Sequence, residues 1–212
     1  MVFRWQRDDD SALYRRIGEI LSTSEHHTFE MAVAWVTKAG LELFDSPDDG
    51  SPLTTFLENG NRVRITTGVG NDITTTEALK LLLALSQEHG DRVEVYVHHQ
   101  NGRLFHPKVY HFRGENRILL VGSNNLTQAG LLQNTEASIE VNEDDNDIHW
   151  DEIDNFFTIL QDTEVEQDQL PETRRVTEQL IKQLEKDGLI IPDNPNKFVG
   201  AFNRMKKFVK NK

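Results

Sequence analysis

His106 and Lys108 stand two residues apart in the stretch His-Pro-Lys-Val-Tyr-His. On an extended segment, residues i and i+2 project to one face, so this spacing sets an imidazole beside a fixed cation. The pairing suits a phosphodiester. An imidazole with an unperturbed pKa of about 6.5 serves as nucleophile or as acid and base near neutral pH, while an ammonium holds a phosphoryl oxygen. Further on, Gly122-Ser123-Asn124-Asn125 opens a loop after an apolar run, with Thr127 and Gly130 beyond it. Glycine allows close backbone approach, and Ser and Asn donate to oxyanions without adding charge. Glu136 begins the next run, where a carboxylate can accept from one imidazole nitrogen and fix its tautomer. Taken singly these pieces have plainer readings. A lone histidine on a strand is commonly structural, and Ser-Asn-Asn after a strand is commonly a turn or a helix cap.

The elements that must carry these residues follow from periodicity. Leu13, Ile17, Ile20 and Leu21 recur at helical spacing after the acid-rich Asp8-Asp9-Asp10-Ser11, which can cap a helix. Met31 to Val36 is an apolar run of strand length, followed by a short helix around Leu41 to Phe44. Pro52 to Leu57 reads as helix, the turn Glu58-Asn59-Gly60-Asn61 follows, and Val63 to Thr66 reads as strand. Thr74 to Thr76 can cap a helix carrying Ala78, Leu81, Leu82 and Leu85, after which Gly90-Asp91 turns into a strand at Val93 to Val97. Three strand-like runs come next, at Leu104–Phe112, Arg117–Val121 and Glu136–Val141. From Ile148 the pattern is helical, with stripes at Trp150, Ile153, Phe157 and Leu160, at Val176, Leu180 and Leu184, and at Phe198, Phe202, Met205 and Val209. The expected fold is α/β: a mixed β-sheet flanked by helices over residues 1–147, with a C-terminal helical appendage over 148–212.

Composition narrows the chemistry. The chain has 212 residues, 37% of them hydrophobic, enough for one real core. With no cysteine, a disulfide scaffold, a thiolate metal site and a cysteine nucleophile are excluded, and a reducing cytoplasm is the expected location. No apolar run is long enough to span a bilayer, so no membrane partner is expected. A net charge of −12 argues at first against a polyanionic partner. The acidity is local, however. Twelve acids lie between Glu140 and Asp168, whereas His106 to Gly122 holds Lys108, Arg113 and Arg117 against Glu115 alone, and the segment from Lys197 to Lys212 is basic.

Together, His106-Pro-Lys108, Gly122-Ser123-Asn-Asn125 and Asn134-Thr-Glu136 resemble the H-x-K, G-S-x-N and N-x-E signature of the phospholipase D superfamily. The tract is closest to the nuclease branch, as are the preceding MAVAWVTKAGL and NRVRITTG, so the resemblance spans about residues 28–141. One position departs: the Asp that the family's full motif places five residues after the lysine is Arg113 here. The resemblance implies an α-β-α sandwich and a two-step, metal-independent cleavage in which one histidine attacks phosphorus and a second serves the leaving oxygen and then water. It assigns His106 as nucleophile, Lys108 and Asn125 to the non-bridging oxygens, Ser123 to loop support and Glu136 to orienting His106. No cofactor or metal is implied. None of the other histidines is followed by a lysine two residues on, so the implied arrangement is a homodimer that joins two motifs across a two-fold axis. The implied substrate is nucleic acid, DNA favoured, cut by a small dimeric endonuclease or by the cleavage domain of a larger restriction or phage-defence protein.

Other readings use the same residues. His98, His99, His106 and His111 can be taken as a metal cluster, against which the lysine charge and the spacing argue. Gly68-Val-Gly70 lacks the third glycine of a dinucleotide loop, and Trp150, Phe156 and Phe157 read as packing before stacking. The alternative functions are a phospholipase or other phosphodiesterase acting on a substrate that is not nucleic acid, and a catalytically inactive dimerisation or recognition module.

Overall fold

The structure is a computed structural model, and it describes residues 1–23, 26–44, 51–70, 72–145, 148–161 and 172–193. The third C-terminal stripe and the basic segment from Lys197 lie outside the described residues.

Among the described residues eight strands form one sheet, in the order β1-β7-β6-β5-β2-β3-β4-β8. Its parallel centre is β2 (His26–Val33), β3 (Arg62–Gly68) and β4 (Val93–His99). These strands are joined by helices α2 (Lys38–Leu41) and α3 (Pro52–Glu58) on one connection and α4 (Thr76–His89) on the other, as parallel neighbours require. The antiparallel side is β5 (Lys108–Gly114), β6 (Ile118–Gly122) and β7 (Glu136–Asn142); a short turn joins β5 to β6, and a longer loop holding the helical turn Ala129–Gln133 joins β6 to β7. Helix α4 starts where Thr75 accepts from the Ala78 N–H, so one of the three threonines expected to cap it does so.

The main core lies on one face of the sheet. Phe29, Met31 and Val33 of β2 stand opposite Phe112, Tyr110 and Lys108 of β5, and the Phe29 and Phe112 rings stack at 4.3 Å. Helix α1 (Leu13–Leu21) adds Ile17 and Ile20, α3 adds Phe56, and α4 adds Leu79 and Leu82 to the same buried cluster. The opposite face is covered at its centre by α5 (Trp150–Gln161), whose Phe157 and Leu160 pack with Ala32, near Val109 and Phe105. Helices on both faces make the expected sandwich. Helix α6 (Glu178–Lys186) packs beside α4.

Three elements differ from the sequence reading. Strand β1 (Val2–Gln6) was not expected, because its pattern is inverted: Phe3 and Trp5 face outward while Gln6 is buried and Arg4 turns in to pair with Glu140. Strand β8 (Glu172–Arg175) has no apolar alternation, and only its pairing with β4 makes it a strand within a segment read as helical. Strand β5 starts at Lys108 and not at Leu104, since Pro107 has no N–H to give a ladder.

Beneath α5 the sheet buries a carboxylate. Glu30, on central strand β2, lies 3.0 Å from Nε of Arg113, 3.4 Å from Arg64 Nη1 and 3.4 Å from Nδ1 of the fully buried His111. Arg64 also reaches Glu94 at 2.7 Å, and Arg113 and Arg117 reach Asp154 of α5 at 3.8 and 3.0 Å. Burial alone would raise the Glu30 pKa, but contact with His111 and the charges of Arg113 and Arg64 outweigh it and hold the carboxyl below its ordinary value. A depressed pKa contributes stability above the unfolded value and loses it as pH falls through the folded one. Glu30→Ala leaves Arg113 and Arg64 without their buried counterion and should cost about 3 kcal/mol or more at pH 7 by urea unfolding. Its deficit against the wild type should begin to shrink as the pH falls below about 4.5, where the unfolded-state carboxyl takes up a proton, and shrink further as the pH passes the lower folded-state value.

Candidate active site

Strand β6 runs antiparallel to both β5 and β7, so the start of β5, the end of β6 and the start of β7 meet at one edge of the sheet. Lys108, Gly122 and Glu136 occupy those three positions. His106 lies two residues before β5, outside the ladder, yet its ring still meets the lysine. Lys108 Nζ is 2.7 Å from His106 Nδ1 and 2.8 Å from Nε2, and it donates to the His106 carbonyl oxygen at 3.1 Å. The lysine is 7% exposed, opposite Val33 at the end of the buried ladder, while the imidazole faces solvent. Burial lowers the Lys108 pKa, and the Glu136 carboxylate opposes that shift. Partial desolvation and then the Lys108 charge hold His106 below the ordinary imidazole value, which favours a neutral ring at pH 7.

A tryptophan closes this corner. Trp35 follows β2, its ring meets His106 edge-on at 5.3 Å between centroids, and Lys108 Nζ lies 5.4 Å from the indole centroid. In the sequence Trp35 is one more apolar residue of MAVAWV, and nothing local marks it as a neighbour of His106.

The loop after β6 is built on backbone contacts. The Ala34 N–H donates to the Pro107 carbonyl at 2.9 Å and the Thr37 N–H to the Leu126 carbonyl at 3.1 Å, tying both site loops to the continuation of β2. Leu126 is fully buried and anchors the loop in the core. Tyr110, itself buried, donates its hydroxyl to the Asn124 carbonyl at 3.0 Å. Gly130 lies against Asn125: a Cβ there would sit 2.7 Å from both the N and the O of Asn125. That glycine therefore serves backbone against backbone, and an alanine would push the loop outward. Asn125 is buried, with its Oδ1 unpaired.

Glu136 does not meet His106 within the chain. Its Oε2 accepts from the Ser123 hydroxyl and its Oε1 from Asn134 Nδ2 at 2.9 Å. Ser123 Oγ also accepts from the Ala137 N–H at 3.2 Å, so the serine bridges the end of β6 and the start of β7. The edge thus holds an imidazole–ammonium pair and, two strands away, a hydroxyl–carboxylate–amide cluster, with the buried Asn125 on the loop after the intervening strand. Arg113, by contrast, points to the other face of β5 and belongs to the Glu30 network.

The four histidines that suggested a metal cluster diverge. His98 stacks on Phe105 with Nδ1 3.0 Å from Thr173 Oγ1, His99 Nε2 is 3.3 Å from Asn101 Oδ1, and His111 stacks on Trp150 and Phe157 beneath α5. Among the described residues no three His, Asp or Glu side chains are grouped to hold a metal ion. No helix among them is long and apolar enough to cross a membrane.

Comparison with known proteins bears on this edge. A phosphatidylserine synthase from Haemophilus influenzae Rd KW20 superposes with a TM-score of 0.55 at 13% identity, over 87% of this chain and 44% of that one. A polyphosphate kinase from Porphyromonas gingivalis gives 0.50 at 13%, over 94% and 26%. NucT from Helicobacter pylori gives 0.48 at 12%, over 68% and 85%. At such identities the likeness is one of fold, and this chain spans less than half of the first two proteins. No curated protein matches in sequence. The family model described as "Cardiolipin synthase, PLD-like domain" matches residues 42–158, more than half of the chain and the whole of the edge from His106 to Glu136. The chain belongs to the phospholipase D superfamily, as a member with its PLD-like domain.

Proposed function

We propose that this protein is a metal-independent phosphodiesterase that cuts DNA through a phosphohistidine, in a site shared by two copies of the chain. The observation that carries the reading is the pairing of an exposed imidazole with the buried ammonium of Lys108, beside Asn125 and Glu136 on the same sheet edge. In the first step an imidazole nitrogen of His106 attacks phosphorus. The N–P bond forms, the P–O bond to the leaving group breaks, and the leaving oxygen takes a proton from His106 of the partner subunit. In the second step that neutral imidazole takes a proton from water as the water oxygen attacks phosphorus. The N–P bond then breaks, releasing a phosphate monoester and restoring both rings. Lys108 and Asn125 hold the non-bridging oxygens throughout.

Glu136 is left with no histidine of its own chain, and one chain supplies one H-x-K, so both halves of the chemistry call for a second copy. A surface beside the edge supports the same assembly. Phe3, Ile139 and Val121 are cross-strand neighbours on β1, β7 and β6, Trp5 stands opposite Ala137, and all four apolar side chains are exposed, Phe3 at 70% and Trp5 at 54%. Exposed apolar side chains contiguous across three strands are a feature of interfaces. DNA is preferred over phospholipid because of the nuclease-type tract from His106 to Glu136.

Wild type should cut plasmid or single-stranded DNA in EDTA, with His106→Ala inactive and Lys108→Ala reduced by about 10² to 10³. Cleavage of phosphatidylcholine vesicles in place of any nucleic acid would make it a phospholipase, and a wild type that cuts neither would overturn the enzyme reading. By light scattering at micromolar concentration wild type should be a dimer, and Phe3→Glu/Trp5→Glu a monomer with at least tenfold less activity. An active monomeric wild type would reject the shared site.

A further inference from the structure

Gln6 is the last residue of β1 and stands opposite Glu136 in the β1–β7 pairing. Its side-chain amide is 3% exposed and fully engaged. Nε2 donates to the carbonyl oxygens of Asn134 at 2.9 Å and Gly130 at 3.3 Å. Oε1 accepts from the Leu13 N–H at 3.0 Å and from Asn124 Nδ2 at 3.3 Å. Four bonds use both donors and both lone pairs of the group. The Leu13 contact satisfies a first-turn N–H of α1, whose N-cap residue Ala12 has no capping side chain.

The remaining partners lie on one segment, and they flank the site. Asn124 precedes Asn125, and its Nδ2 also donates to the Gly130 carbonyl at 2.9 Å, against which Gly130 packs the Asn125 backbone. Asn134 ends the single turn at Ala129–Gln133, and its side chain donates to Glu136 Oε1. One buried amide therefore grips both ends of the segment from Asn124 to Asn134 and fastens them to β1 and α1.

We propose that Gln6 is a positioning residue: it fixes the separation between Asn125 and Glu136, and so the fit of a phosphodiester between them. The proposal rests on the phosphodiesterase reading of the edge. Gln6 itself is buried and acts through Asn124, Gly130 and Asn134. A displacement of about 1 Å in such an arrangement can cost on the order of 10² in rate while leaving binding groups in place.

Two variants test it. Gln6→Met keeps the length and removes all four bonds. Gln6→Glu keeps the acceptor for Leu13 and Asn124 but turns a carboxylate toward two carbonyl oxygens, so it isolates the grip on the 130–134 end. With a chromogenic phosphodiester in EDTA, kcat should fall tenfold or more in both at pH 7.5, with KM within about threefold of wild type. Gln6→Glu should recover part of its kcat as the pH is lowered, because the protonated acid can donate again to the Asn134 carbonyl. A purely structural role would lower activity only in proportion to the folded fraction measured by circular dichroism. Folded variants with kcat within twofold of wild type would overturn the proposal, as would failure of both variants to fold. Should wild type cleave no substrate, the phosphodiesterase reading fails by itself. Amide exchange then decides on Gln6: faster exchange of residues 124–136 in Gln6→Met, with β3 and β4 unchanged, keeps the positioning role, and unchanged exchange removes it.

Discussion

The antiparallel pairing of β6 with β5 on one side and β7 on the other is the constraint from which the site follows. It turns separations of fifteen to thirty residues along the chain into neighbouring positions at one sheet edge, because a strand that ends there must lie between two that begin there. Lys108 is fixed by the end of a buried ladder, Asn125 by a loop anchored through Leu126, and Glu136 by its place opposite Gln6. The ladder itself is rigid because Phe29, Tyr110 and Phe112 fill the face below it. His106 stands just outside that frame, on the solvent side, two residues before the ladder begins.

Among the described residues, charge is arranged around two buried carboxylates. Glu30 gathers Arg64, Arg113 and His111 beneath α5, and Glu140 gathers Arg16 at 2.7 Å, together with Arg4, between β1, β7 and α1. Several of the chain's arginines are thereby spent inside the protein, on the two flanks of the sheet, and Asp154 of the acid-rich segment is matched to Arg113 and Arg117. The net charge of −12 thus says little about the edge itself, where Lys108 is the cation beside the imidazole. It also accounts for Arg113. The residue at the family's aspartate position sits on the face of β5 opposite to Lys108, and there it serves a carboxylate supplied by β2.

Periodicity sufficed for the elements whose apolar face is buried by their own alternation. Helix α1 with Ile17 and Ile20, α4 with Ala78 and Leu82, and strands β3 with Val63 and Ile65 and β4 with Val93 and Val95 all carry such a face. It failed at β1 and β8 for a common reason: an edge strand is held by backbone pairing, which leaves no mark on side-chain pattern, and β1 even turns its aromatics outward. The alternation in β5 likewise concealed that Pro107 delays the ladder and leaves His106 on an irregular approach.

The residue types and spacings of His106, Lys108, Ser123, Asn125 and Glu136 were set by the sequence alone, and with them the superfamily and the α/β sandwich. Tertiary structure decided what lies around them. Trp35 against the His106 ring, Tyr110 beneath Asn124, Ser123 and Asn134 on Glu136, and Gln6 across from it all come from segments distant along the chain or from backbone contacts. Such partners are chosen by strand register and by the need to satisfy buried polar groups, and both become definite only when the sheet has closed around them.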